Sequence, residues 1–132
     1  MRNILLLVLL STISYSSFAI NDFSCVVKDV YKLDDSGTLI TKAGFVTPDV
    51  GSTFIVNRQS GQITGEKITN TMSGVMPKVY DVLPSENTYK AITVYPYTID
   101  YIEIQTHKKS QEKPFVYKGA FGEVITGLCT VS

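Results

Sequence analysis

An all-β fold, a single antiparallel β-barrel or β-sandwich of about eight to nine strands, is predicted by three features of this 132-residue sequence. No helical period survives past residue 19. Short runs rich in Val, Ile, Thr, Tyr and Phe recur instead, separated by Gly, Pro, Asn, Asp and Ser. The connections between those runs are short, so successive strands should pair as hairpins, mostly as a meander. Strands are expected at 23–33, 38–46, 53–58, 62–67, 78–83, 89–96, 99–107, 113–118 and 121–131.

Residues 1–19 read as a cleaved signal peptide that precedes a single all-β domain over 20–132. Arg2 supplies a positive start, Ile4-Leu5-Leu6-Leu7-Val8-Leu9-Leu10 an apolar run, and Ser17-Phe18-Ala19 a small-residue cleavage site. A membrane anchor would need about 20 mainly apolar residues, and this run breaks at Ser11-Thr12. No membrane span is therefore expected in the mature protein, which should be periplasmic or secreted. Cleavage removes Arg2 alone among the charges, so 12 basic residues less one leaves 11 against 12 acidic. So even a balance gives no electrostatic reason to expect nucleic acid or anionic lipid as partner.

In the first strand Phe23, Cys25, Val27, Tyr31 and Leu33 should share one face, with Lys28 and Lys32 opposite. Asp29 interrupts that face, so a bulge or an edge is expected there. Asp34-Asp35-Ser36-Gly37 then reads as a tight turn. Further on, Phe54-Ile55-Val56-Asn57-Arg58-Gln59-Ser60-Gly61-Gln62-Ile63-Thr64-Gly65 is the strongest hairpin signal, with Gly61 free to take positive φ. In the last strand Phe121, Ile125, Cys129 and Val131 should share a face, opposite Thr126 and Thr130.

Cys25 and Cys129 are the only cysteines, and an even count in an exported chain reads as a disulfide. Cys25 follows Asn21-Asp22-Phe23-Ser24 rather than an apolar lipid-attachment box. Two cysteines and one distant histidine also lack the close ligand pairs of a zinc site. A bridge requires the first and last strands to lie side by side or on facing sheets, with Cα atoms within about 7 Å.

The run Phe54-x-Val56-x-Arg58-x-x-Gly61-x-Ile63-x-Gly65, with Lys113-Pro114-Phe115 and the ending Thr126-Gly127-x-Cys129, resembles a group of small exported bacterial proteins with two cysteines. The resemblance implies periplasmic residence and a β fold, and it brings no activity or catalytic residue with it.

No catalytic constellation emerges, and no enzyme activity, cofactor or metal is expected. His107, the lone histidine, belongs to the polar side of its strand with Tyr101, Glu103 and Gln105, beside Lys108-Lys109. Most of the 12 carboxylates fall in turns (Asp34, Asp35, Asp49, Glu86) or on polar strand faces (Glu103, Glu123), and nothing marks an acid–base pair. Asp34-x-Ser36-Gly37 lacks the later ligands of a calcium loop, and Gly119-Ala120-Phe121-Gly122 lacks the helices of a nucleic-acid clamp. The aromatic run Tyr95-Pro96-Tyr97-Thr98-Ile99-Asp100-Tyr101 stands out, with Tyr80, Tyr89 and Tyr117 as possible neighbours. Tyrosines give large contact area at low entropy cost, so Tyr95, Tyr97 and Tyr101 are the candidate binding residues; the competing reading has them covering the end of a small barrel. The expectation is a disulfide-bonded β domain that binds a protein or envelope component, such as an inhibitor or immunity protein against a cell-wall hydrolase. A barrel that holds a small apolar ligand is the alternative.

Overall fold

The computed structural model describes residues 21–41, 50–81 and 88–131. The expected leader, the ends of the strands expected at 38–46 and 78–83, and Asp49 and Glu86 lie outside the described residues.

The described chain is all-β. Its strands are β1 (Phe23–Leu33), β2 (Leu39–Thr41), β3 (Thr53–Val56), β4 (Ile63–Gly65), β5 (Lys78–Tyr80), β6 (Tyr89–Val94), β7 (Ile99–Ile104), β8 (Glu112–Lys118) and β9 (Glu123–Val131). A single 3-10 turn, Met72–Gly74, interrupts the loop between β4 and β5. The strands form one curled antiparallel sheet, a half-barrel, in the order β4-β3-β1-β9-β8-β7-β6-β5, with β2 paired to β1 beside that path. From β5 to β9 the sheet is a meander, as short connections favour. The long strand β1 breaks that pattern: β9 lies along one edge of it, and β3 and β2 share the other.

Alternation sets the core. Tyr89 and Ala91 of β6 face inward opposite Ile104 and Ile102 of β7, which in turn meet Phe115 and Tyr117 of β8. Phe54 and Phe115 meet edge to face at 5.2 Å, and Phe23 tilts against Tyr89 at 5.0 Å. Cys25 and Cys129 are direct cross-strand partners in β1 and β9, bonded to each other with Cα atoms 4.0 Å apart. Of the two expected arrangements, side by side or on facing sheets, the terminal strands take the first.

Of the bulge or edge expected at Asp29, the strand has a bulge, between Val27 and Asp29, and it has a consequence that strict alternation misses. One extra residue in β1 inverts the facing of everything after it. Val30, paired with buried Ile125, packs on the core, while Leu33 is exposed. The expectation that Tyr31 and Leu33 continue the Cys25 face is thus corrected by the bulge itself. In β9, Ile125 and Cys129 face inward as expected. Phe121 does not, because it lies in the turn before the strand starts, and Val131 is exposed at the strand's end.

β4 and β5 are the two ends of the sheet, and side chains span the gap between them. Gly61, at φ 75°, lies flat against Val79, Ala91 and Pro77, where an added Cβ would come within 2.8, 3.0 and 3.2 Å. Arg58 forms a forked pair with Asp81, Nε to Oδ2 at 2.7 Å and a terminal nitrogen to Oδ1 at 3.2 Å. Its guanidinium also lies 5.0 Å over the Phe23 ring. Asn70, in the loop over 66–77, completes the closure. Its side-chain oxygen accepts from Ile63 N–H (2.7 Å), its amide donates to Gly61 C=O (2.8 Å), and its backbone carbonyl accepts from hydroxyls of β6 and the turn after it. One buried asparagine thereby ties the β4 end of the sheet to β6, the strand next to the other end.

Candidate functional site

Among the described residues, two neighbouring turns carry the two most exposed large aromatic side chains, Tyr97 and Phe121. In the β6–β7 turn Tyr95 N–H donates to Thr98 C=O at 2.9 Å, with Pro96 fixing φ at the second position. In the β8–β9 turn Gly119 N–H donates to Glu123 C=O at 2.8 Å and Gly122 N–H to Gly119 C=O at 3.1 Å. The Thr98 hydroxyl donates across to Ala120 C=O at 2.8 Å, and the Lys118 ammonium donates to Ile99 C=O at 3.1 Å. Tyr97 is 99% exposed, Phe121 79%, Val94 67% and Ile99 42%. Large apolar groups exposed on neighbouring turns with pinned backbone are what a recognition surface requires.

The structure separates the three candidate tyrosines. Tyr97 stands at the tip. Tyr95 extends the inward series Tyr89, Ala91, Thr93 and is buried; its hydroxyl lies 2.9 Å from the Asn70 carbonyl oxygen and 2.8 Å from Asp100 Oδ2. Burial, reinforced by the Asp100 carboxyl, pushes the Tyr95 hydroxyl up to about 12. Tyr101 is half-buried on the other side of β7, where its hydroxyl donates to Glu103 at 2.8 Å. Burial and then Glu103 raise it, also to about 12. Tyr89 and Tyr117 belong to the core, and burial drives both phenols upward, whereas Tyr80 is exposed beside Lys78.

Behind the tip lies a polar cluster that sequence reasoning missed. Asp100 is 1% exposed, yet it sits opposite Thr93 in the ladder and faces the core with Ile102 and Ile104. Loss of solvation raises its carboxyl above the usual range, against the opposing pull of hydrogen bonds from Tyr95 and Thr93 and the charge of Lys118. The signal was available: alternation that puts Ile102 and Ile104 inside puts Asp100 there too. Phe121 escapes the sequence pattern for a different reason: the pattern extends the last strand back to residue 121, whereas the chain is still turning there and β9 starts at Glu123.

His107 is exposed in the turn after β7, which ends at Ile104 and not at 107. Asp34 is engaged within its own turn, and Glu103 by Tyr101. A groove of about 730 Å³ crosses the convex face of β3, β1 and β9, with Ser24, Val26, Ile55, Thr64, Leu128 and Thr130 among its lining residues. Among the described residues no cluster of three or more His, Cys, Asp or Glu is placed to hold a metal ion, and no helix is long and apolar enough to cross a membrane. No protein-family model matches the chain, and neither a curated protein nor a solved structure is significantly similar to it.

Proposed function

We propose that the chain is a non-enzymatic exported β domain that binds a protein of the cell envelope through the paired tips of the β6–β7 and β8–β9 turns. The carrying observation is the exposure of Tyr97 and Phe121 on turns that the Thr98–Ala120 hydrogen bond holds together. Aromatic side chains have few rotatable bonds, and with the backbone of both turns pinned they lose little entropy on binding, so they are efficient anchors. An intramolecular disulfide is compatible with an oxidising compartment, periplasmic or extracellular, and agrees with the leader and the resemblance read from the sequence. Inhibition of a cell-wall hydrolase, as an inhibitor or immunity protein, is the specific form this reading takes. Ring packing on the concave side of the sheet speaks against a binder of a small apolar ligand.

The test compares the wild type with Tyr97→Ala/Phe121→Ala in quantitative capture from envelope extract, followed by assay of any captured hydrolase with each form added. The double variant should keep its urea midpoint and lose its partner. Equal recovery by both forms would place the interface elsewhere. Substituting Tyr95 and Tyr101 as well would mislead, because loss of the buried Tyr95 destabilises the fold by itself.

A further inference from the structure

The cluster behind the tip contains more oxygen–oxygen contacts than hydroxyl protons to fill them. The Tyr95 hydroxyl lies 2.8 Å from Asp100 Oδ2 and 2.9 Å from the Asn70 carbonyl, and the Thr93 hydroxyl lies 3.2 Å from that same carbonyl. Each such contact is attractive only with a proton between the oxygens. Tyr95 and Thr93 supply two hydroxyl protons for three contacts; the backbone N–H groups of Thr93, at the Asp100 carboxyl, and of Met72, at the Tyr95 oxygen, also face the cluster but lie between none of these oxygen pairs. Asn70 and Asp100 are each 1% exposed and Thr93 is fully buried, so bulk water is a poor source of the missing donor.

We propose that the Asp100 carboxyl carries the third proton, and that this proton latches the 66–77 loop against β6. With it in place, Asp100 donates to the Tyr95 oxygen, Tyr95 donates to Asn70 C=O, and Thr93 donates to the second lone pair of that carbonyl. When Asp100 releases its proton to solvent, the Tyr95 O–H turns to the new carboxylate. Asn70 C=O then keeps only the longer Thr93 contact, and the loop loosens. Because Asn70 is also the side-chain partner of Gly61 and Ile63, the loosening reaches the end of the sheet at β4. The latch is thus a pH-sensitive closure, and it stands whatever the tip binds.

The surrounding groups set the direction. On β7 itself Asp100 lies beside apolar Ile102, and from β6 and its turn come the neutral Thr93 and Tyr95. From β8 come buried Tyr117, whose hydroxyl reaches Thr69 C=O of the loop at 3.5 Å, and Lys118, whose charge acts on Asp100. Glu123 of β9 acts on Tyr117. Desolvation outweighs Lys118, so the folded protein holds the Asp100 proton more tightly than the unfolded chain does. The stability this confers is full below the unfolded carboxyl pKa and is lost as pH rises through the folded value.

The test needs no substitution in its first arm. Carboxyl carbon NMR of the intact protein follows Asp100, while hydrogen exchange follows the Ile63 amide that donates to Asn70 Oδ1. Asp100 should titrate above the usual carboxylate range, and Ile63 protection should fall about three- to tenfold across that titration, the worth of one hydrogen bond. Asp100→Asn keeps a donor at every pH, so its protection should stay high and flat. Tyr95→Phe removes the relay, so its protection should stay low and flat. An Asp100 that titrates as an ordinary carboxylate, or Ile63 protection that does not change through the titration, would overturn the latch. So would an Asp100→Asn protein that retains the wild-type pH dependence.

Discussion

Gly127 lies opposite Val27 in one ladder and Phe115 in the other, beside the β1 bulge. A Cβ there would stand 2.0 Å from the Val26 carbonyl oxygen and 2.7 Å from the Phe115 ring. Neither obstacle can yield cheaply, since one is ladder backbone and the other a core ring. Gly127→Ala should therefore cost about 3 kcal/mol, at the upper end for overpacking, as a lowered urea midpoint at unchanged m. Asn70→Ala should cost about 2–4 kcal/mol, because it leaves the Ile63 N–H and the Gly61 carbonyl without their partner. Asn70→Asp keeps the acceptor but sets a second oxygen against the Gly61 carbonyl. Its stability should recover as pH falls, because a protonated acid can donate there. Neither role was legible in the sequence. Asn70 lies in a loop whose path depends on strands far away in the chain, and Gly127 is small because of a bulge in a different strand.

At the scale of elements most of the fold could be read, because strand existence depends on local composition and turn chemistry. Each of the nine expected ranges contains a strand over its described residues, and the turn at Asp34 works as its residues suggest. The Asp34 carboxylate accepts from Ser36 N–H (3.0 Å), the Ser36 hydroxyl (2.6 Å) and Thr38 N–H (2.9 Å), while Gly37 takes φ 82°. Those donors, the Ser36 hydroxyl foremost, hold the carboxyl below its usual value. The turn's contribution is therefore present above the unfolded carboxyl pKa and fades as pH falls through the lower folded one. In an acid titration the Ser36 and Thr38 amide shifts should move together, with a midpoint below the ordinary carboxylate range, and Asp34→Ala should abolish the transition. Facing was less legible than existence. The parity of β1 breaks at its own bulge, and Phe121 faces outward because β9 starts two residues later, a boundary that periodicity locates poorly, whereas the inward facing of Tyr95 follows from the alternation of Tyr89, Ala91 and Thr93. The candidate site shared that fate: Tyr97 stands at the tip, whereas Tyr95 belongs to the core behind it.

For the molecule as a whole, strand order was the hidden quantity, since hairpin logic joins neighbours in sequence and says nothing about which distant strands meet. The cysteines supplied the exception. They join β1 to β9 across 104 residues, the longest-range pairing in the sheet and the one that holds its two halves together. Because β1 and β9 are already ladder partners, the covalent bond adds little to the folded state beyond what the strands provide. Its effect falls on the unfolded chain, where it closes a loop of that length and removes entropy worth about 4–5 kcal/mol. That is a large share of the about 5–15 kcal/mol that a domain of this size commands. Cys25→Ala/Cys129→Ala should therefore lose about 4–5 kcal/mol, with a larger urea m-value because the uncrosslinked unfolded chain exposes more surface. If the bond acts on the unfolded state, the unfolding rate should change little and the loss should appear in refolding, where β1 must now find β9 by diffusion. Stopped-flow folding in urea separates the two limbs. A double variant whose loss lies mainly in faster unfolding would mean that the bond clamps the native sheet rather than shortening the search for it.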